Sequence, residues 1–181
     1  NVDPAVTPMS VFTASALIAL YDPLLMYRGD KLQSHLATSV TPSADAAEWT
    51  IKLAPGVKFQ DGSPVTAEAV KYTFERVLRI KKGPAWMWLP IMDDKSITVV
   101  DDQTLRVKLT KPFSLFDRTL PNLLVVNPKL VKANDKGDDG QAWLVNNSAG
   151  SGPFKITPEN WRHGAQYELI ADPSYWKGWP K

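Results

Sequence analysis

The sequence predicts an α+β protein, a mixed sheet with hairpins and flanking helices, and three observations carry that prediction. Trp49, Ile51 and Leu53 alternate with Thr50 and Lys52, and Leu105, Val107 and Leu109 alternate with Arg106 and Lys108, which is the period of half-buried strands. Val70, Phe74, Val77 and Leu78 instead recur at the spacing of one helix face. Hairpins and helices follow one another as separate units instead of in strict strand-helix-strand alternation, which favours α+β over α/β.

Each element has a local reason. Ser10 precedes an apolar run to Leu20 in which Ala14, Leu17, Ile18 and Tyr21 are spaced for one buried face, and Pro23 ends it. Leu24 to Tyr27 reads as a strand, and Arg28-Gly29-Asp30 as the turn of a hairpin, because glycine accepts the positive φ of a tight reversal. Ala54-Pro55-Gly56 breaks the strand at Trp49–Leu53, and a short strand from Val57 to Phe59 is expected before Asp61-Gly62. Thr66 is placed to cap a helix with Glu68 in its first turn, and Glu75 and Arg79 are spaced for an i,i+4 pair. Ile97–Val100 and Thr104–Leu109 flank Asp101-Asp102-Gln103 as an antiparallel hairpin. A brief helix opens at Ser114 and is closed by Pro121, Asp135 to Gly140 reads as an exposed loop, and two further strands are expected near Phe154–Thr157 and Gln166–Ala171.

Composition removes several functions. The 181 residues include 21 basic and 19 acidic side chains, a net charge of +2, and no basic block longer than Lys81-Lys82, so nothing supplies a footprint for nucleic acid. Cysteine is absent, which excludes disulfides, thiolate metal sites and a thiol nucleophile. The longest apolar stretches, Ala14–Leu20 and Leu123–Val126, are far shorter than the ~20 residues of a membrane-spanning helix. The amino end has no charged stretch followed by an apolar run, so a signal peptide is absent or has been removed.

Catalytic chemistry is hard to place. His35 and His163 are the only imidazoles, and neither lies in a metal-ligand or nucleophile motif. Gly150-Ser151-Gly152 lacks the spacing of a nucleophile elbow, and Asp93-Asp94 and Asp138-Asp139 read as solvated turns. No metal and no cofactor is expected. Among the seven tryptophans, Trp86 and Trp88 lie in Gly83–Pro90, a segment bounded by prolines, where their faces either line a cleft or pack in the ordinary way.

The chain resembles the family 5 extracellular solute-binding proteins, collinearly and almost from end to end. The resemblance is carried by Tyr21-Asp22-Pro23-Leu24, by Leu36-Ala37-Thr38-Ser39, and above all by Trp49–Leu53 followed by Gly56-Val57-Lys58-Phe59-Gln60-Asp61-Gly62-Ser63-Pro64 and the capped helix. Val100–Leu105, Gly150-Ser151-Gly152-Pro153-Phe154 and Asp172-Pro173-Ser174-Tyr175-Trp176 extend it, with Asp172 where asparagine is usual and Val40 where an aromatic is usual.

That resemblance implies part of lobe I of a two-lobed, type II periplasmic-binding-protein fold. Residues 1–35 would begin the larger part of lobe I, residues 36–147 would form its smaller peripheral part, and residues 148–181 would return to the larger part, with lobe II absent. The implied function is capture of a peptide or similar small solute for an ABC importer, periplasmic or extracytoplasmic on a lipoprotein anchor, with the permease's transmembrane subunits as partners and no enzyme activity. Carried over as ligand contacts are Ser10, Val11, Phe12 and Thr13 before and within the first helix, and Asn122 after the short one; Trp86 and Trp88 complete the candidate set. Half of a two-jawed clamp is expected to bind peptides poorly, and its unpaired sheet edges are open to self-association. The rival readings are a stand-alone α+β protein-interaction module and, lacking an identifiable catalytic group, a periplasmic hydrolase.

Overall fold

The computed structural model describes residues 1–7, 11–162 and 166–179. Along the chain run α1 (Val11–Leu20), β1 (Leu25–Arg28), β2 (Lys31–Ser34), β3 (Ala37–Pro42), β4 (Glu48–Leu53), α2 (Ala67–Ile80), β5 (Ile97–Asp101), β6 (Thr104–Lys108) and α3 (Pro128–Ala133). Four two-residue strands follow: β7 (Phe154–Lys155), β8 (Trp161–Arg162), β9 (Gln166–Tyr167) and β10 (Ile170–Ala171). Short 3-10 segments at Gly83–Met87 and Phe116–Asn122 link the larger elements. This is the expected α+β class.

The centre is an antiparallel sheet in the order β3-β4-β6-β5. Trp49 pairs with Val107 and Ile51 with Leu105, so the alternation in both strands delivers one buried face, while Lys52, Arg106 and Lys108 point to water. Helix α2 covers that face. Its entry is set by Thr66, in extended backbone, whose hydroxyl accepts the Ala69 N–H, and its exit by Lys81 at φ 55, whose N–H donates to Val77. Phe74 stands edge-on to Trp88 at 5.4 Å and stacks with Phe116 at 6.4 Å, and Trp49 meets Phe116 at 5.6 Å. Aromatic pairs of this kind add about 0.5–1.5 kcal/mol each beyond burial.

A second core surrounds α1, where Leu17, Leu20 and Tyr21 meet Leu124, Val126, Val131, Leu144 and Ile156. Helix α2 serves both cores, giving Phe74 to the first and Tyr72 to the second. The face of α1 is rotated from the expected one: Ala16, Leu17, Leu20 and Tyr21 are buried, whereas Ile18 is 41% exposed. An almost wholly apolar helix gives its periodicity little to distinguish faces.

Other expectations change too. Val57–Phe59 makes only an isolated bridge, Lys58 to Pro64, and the segment expected as one strand at Gln166–Ala171 is two, β9 pairing with β8 and β10 with β7. Glu75 and Arg79 do not pair; Glu75 faces Lys71 at 3.8 Å and Arg79 reaches Asp139 at 2.6 Å. The loop Asp135–Gly140 is therefore not free of the body, because Asp139 also accepts a hydrogen bond from Arg76 through its carbonyl and Gly140 is buried. The sheet edges expected to favour self-association are irregular, with a register shift in β3 and in β5 and Pro42 ending β3, features that blunt edge pairing.

Candidate functional site

The sequence-predicted residues fall into two groups, one on α1 and one on the 3-10 segments. Val11 and Phe12 open α1, Thr13 follows and is half-buried, and Ser10 lies outside the described residues, as does His163. The turn at residues 3–7 is held firmly. Asp3 accepts the N–H groups of Val6 and Thr7 on its carbonyl and that of Ala5 on its carboxylate. The same carboxylate takes both terminal nitrogens of Arg76, at 2.8 and 2.6 Å, in a fork that is wholly buried.

The Trp86 segment abuts this turn. Gly83, at φ 49, lies so close to the Ala5–Val6 backbone that a β-carbon there would stand 2.9 Å from the Ala5 carbonyl oxygen. Pro84 follows in the first turn of the 3-10 segment and is buried with Ala85. Trp86 projects from it with 71% of its surface exposed. Trp88 does not line an open surface: it is fully buried against Phe74, and its indole N–H donates to Thr119 Oγ1 at 2.9 Å. Two residues along a three-residue turn point to opposite sides, so one tryptophan anchors the segment and the other is presented by it.

Asn122 ends the second 3-10 segment half-buried, its side chain bonded to the Thr119 carbonyl at 3.4 Å. The Trp88–Thr119 bond thus joins the two 3-10 segments, while the Asn122 side chain bonds within its own segment. Beside Trp86, Leu89 is 41% exposed and walls a groove of about 470 Å³ floored by Leu78 and Met92 and rimmed by Arg79, Lys81 and Asp94. Asp93 is occupied as a turn residue, accepting from Lys95 N and Ser96 Oγ.

Sequence reading does not single out Asp22, a densely bonded side chain just past the C-terminal end of α1. It is 2% exposed and accepts four donors: His35 Nε2 at 2.6 Å, Ser151 Oγ at 2.9 Å, Trp176 Nε1 at 2.9 Å and Tyr175 Oη at 3.3 Å. Burial and the Asp22 charge push the Tyr175 phenol well above its ordinary range. The motifs that contain these residues are visible in the chain, but nothing local says that they meet. Ser151 is fixed by its glycine neighbours, since a β-carbon at Gly150 would lie 2.0 Å from the Leu20 carbonyl oxygen and one at Gly152 2.6 Å from that of Ala19. Gln60 completes the joint by donating to the carbonyls of Gly152 and Phe154 at 3.0 and 2.5 Å.

Comparison with known proteins agrees with this architecture. The chain is 40% identical over 163 residues to the probable D,D-dipeptide-binding periplasmic protein DdpA of Escherichia coli (strain K12), covering 86% of this chain and 30% of that protein. It is 33% identical over 154 residues to the glutathione-binding protein GsiB of Pectobacterium atrosepticum, covering 83% of this chain and 28% of the relative. The chain therefore spans about 30% of the length of the curated relatives it matches. In fold it superposes on the ABC transporter substrate-binding protein CtaP of Listeria monocytogenes with a TM-score of 0.82 at 24% identity, over 99% of this chain and 36% of the other. The description "bacterial extracellular solute-binding proteins, family 5 Middle" matches residues 31–181, and the chain belongs to that family.

Proposed function

We propose that the chain is part of the solute-binding component of an ABC importer, capturing a peptide or similar small solute outside the cytoplasmic membrane and delivering it to the permease's transmembrane subunits. The observation that carries this reading is Trp86, a large aromatic surface held in water by a turn whose Gly83 abuts the Ala5–Val6 backbone and whose Pro84 and Ala85 are buried. Exposure of an indole costs free energy unless a partner covers it, and rigid support lowers the ordering cost of binding. Trp86 is the stacking surface for the ligand, and Ser10, Val11, Phe12 and Thr13 are its further contacts. Asn122 lies on the adjoining 3-10 segment, while Trp88 acts as the anchor of Trp86. Short peptides are the first ligand class to test, and dipeptides of D-residues lead it because the relative at 40% identity is described as D,D-dipeptide-binding.

Capture proceeds without covalent chemistry. Ser151, the residue nearest to a nucleophile motif, donates its hydroxyl to the Asp22 carboxylate, which also takes His35, Tyr175 and Trp176, so it belongs to a buried structural network and not to a serine–imidazole pair. Residues 36–147 form the peripheral part of lobe I, and residues 1–35 and 148–181 the larger part, joined through Asp22, Gln60 and the Gly150–Gly152 turn. Native mass spectrometry of the protein as its gene encodes it, purified without denaturation, tests the reading. A retained mass of a small peptide or peptide-like solute is expected. A stoichiometric protein partner in its place would transfer the assignment to an interaction module, and turnover of a peptide or ester substrate would replace capture by hydrolysis.

A further inference from the structure

The Asp22 site carries an unused titratable group. His35 is 8% exposed and touches a charge at each ring nitrogen: Nε2 lies 2.6 Å from Asp22 Oδ1 and Nδ1 lies 2.8 Å from Lys177 Nζ. A carboxylate can only accept and an ammonium can only donate, so a single tautomer satisfies both contacts, with the proton on Nε2 and the lone pair on Nδ1. The other groups around the ring are Ser151 and Tyr175, which meet the same carboxylate, and Trp176, edge-on to the imidazole at 5.6 Å. Lys177 also lies 4.8 Å over the Trp176 ring, and Arg28 at the end of β1 is the further cation that acts on it.

We propose that His35 is a proton-operated latch on the segment that carries Tyr175, Trp176 and Lys177: the neutral imidazole holds the Lys177 ammonium, and a second proton on the ring releases it. The proton that arrives occupies Nδ1 and removes the only acceptor Lys177 has on the ring. It leaves an imidazolium N–H facing an ammonium at 2.8 Å. The imidazolium keeps its bond to Asp22, now as an ion pair, so the ring stays in place and the lysine leaves. Loss of the ammonium proton instead would have to occur about five pH units below the ordinary lysine range, whereas swinging an exposed side chain into water requires no such shift. Burial, together with Arg28, already lowers the lysine's hold on its proton, a sign that this site accommodates added positive charge poorly. Imidazoles change charge between about pH 5 and 8, within the range that an extracytoplasmic protein meets.

Hydrogen exchange followed by mass spectrometry tests the latch without reference to any ligand. Backbone exchange in Tyr175–Trp179, normalised to the intrinsic rate at each pH, is compared at about pH 7.5 and about pH 5.5, in the wild type and in Lys177→Met. The account predicts exchange about tenfold faster at the lower pH in the wild type, the size expected for losing one charge-assisted hydrogen bond, and little pH response in Lys177→Met. An unchanged wild type, or an equal acid response in Lys177→Met, overturns it. Lys177 is exposed, so this variant tests the contact without disturbing the buried cluster. Nitrogen chemical shifts of His35 at neutral pH give a second decision: a proton on Nε2 is required, and a proton on Nδ1 refutes the latch.

Discussion

Replacing Asp3 by alanine is expected to be among the most damaging single changes in the molecule. Arg76 is 1% exposed, and its guanidinium gives two hydrogen bonds to the Asp3 carboxylate and a third to the Asp139 carbonyl. Truncating Asp3 leaves the third bond and strands two N–H groups and a full charge in the interior. Removing one partner of a buried pair costs about 3–5 kcal/mol, and two bonds to a charged group at about 1.5–3 kcal/mol each give about 3–6 kcal/mol, an overlapping range. Domain stabilities lie at about 5–15 kcal/mol, so the variant remains measurable with a urea midpoint lowered by about 2 M. Urea unfolding followed by tryptophan fluorescence and by circular dichroism is the assay. The double variant Asp3→Ala/Arg76→Met, which buries no unpaired charge, is expected to be more stable than Asp3→Ala. A loss below about 1 kcal/mol in Asp3→Ala, or a double variant no better than the single, would refute the assignment of this fork as the clasp between the amino-terminal turn and α2.

Three more outcomes follow from the same geometry. Gly152→Ala drives a methyl group to 2.6 Å from the Ala19 carbonyl oxygen and is expected to lower stability by about 1–3 kcal/mol in the same assay. The two neighbouring tryptophans separate cleanly: Trp88→Ala is expected to cost about 3–5 kcal/mol, whereas Trp86→Ala changes stability by no more than about 0.5 kcal/mol, as thermal melts would show. Stability should fall as pH is taken below the ordinary carboxylate range. Asp45 is held low chiefly by Ser43, Asp101 by the Gln103 N–H and Asp138 by the Ala142 N–H. A folded-state value below the unfolded one means that the contribution is complete above the unfolded pKa and is lost as pH drops through the folded one. Urea midpoints measured between pH 5 and pH 2.5 check this, and a midpoint that rises on acidification contradicts it.

How much could be read from the chain depended on whether the signal was local. Helix α2 shows its cap at Thr66, its acid at Glu68 and its apolar face within one stretch, and the β5–β6 hairpin shows its alternation and its turn, so both lie within a residue or two of their expected places. Strand β3 has no such signature, because Thr38, Ser39 and Thr41 interrupt Ala37 and Val40 without strict alternation, and its place depends on β4 beside it. Arg79 had an acid at the right helical spacing and chose Asp139, which the fold brings closer. Trp86 and Trp88 are alike in composition and two positions apart, yet one is 71% exposed and the other fully buried, a distinction set by the 3-10 turn and by Thr119. The Asp22 node joins residues up to 154 positions apart and leaves no mark on any one segment.

Under the proposed function, Trp86 is the surface that meets a bound peptide. Calorimetric titration of D-alanyl-D-alanine and of L-dipeptides into the protein as its gene encodes it, alongside its Trp86→Ala variant, decides this. The account predicts saturable binding of at least one of these ligands with a Kd of about 1 μM or tighter, weakened about tenfold or more in Trp86→Ala while the fold is retained. Equal affinity in the two proteins, or no binding by a correctly folded wild type, would contradict it.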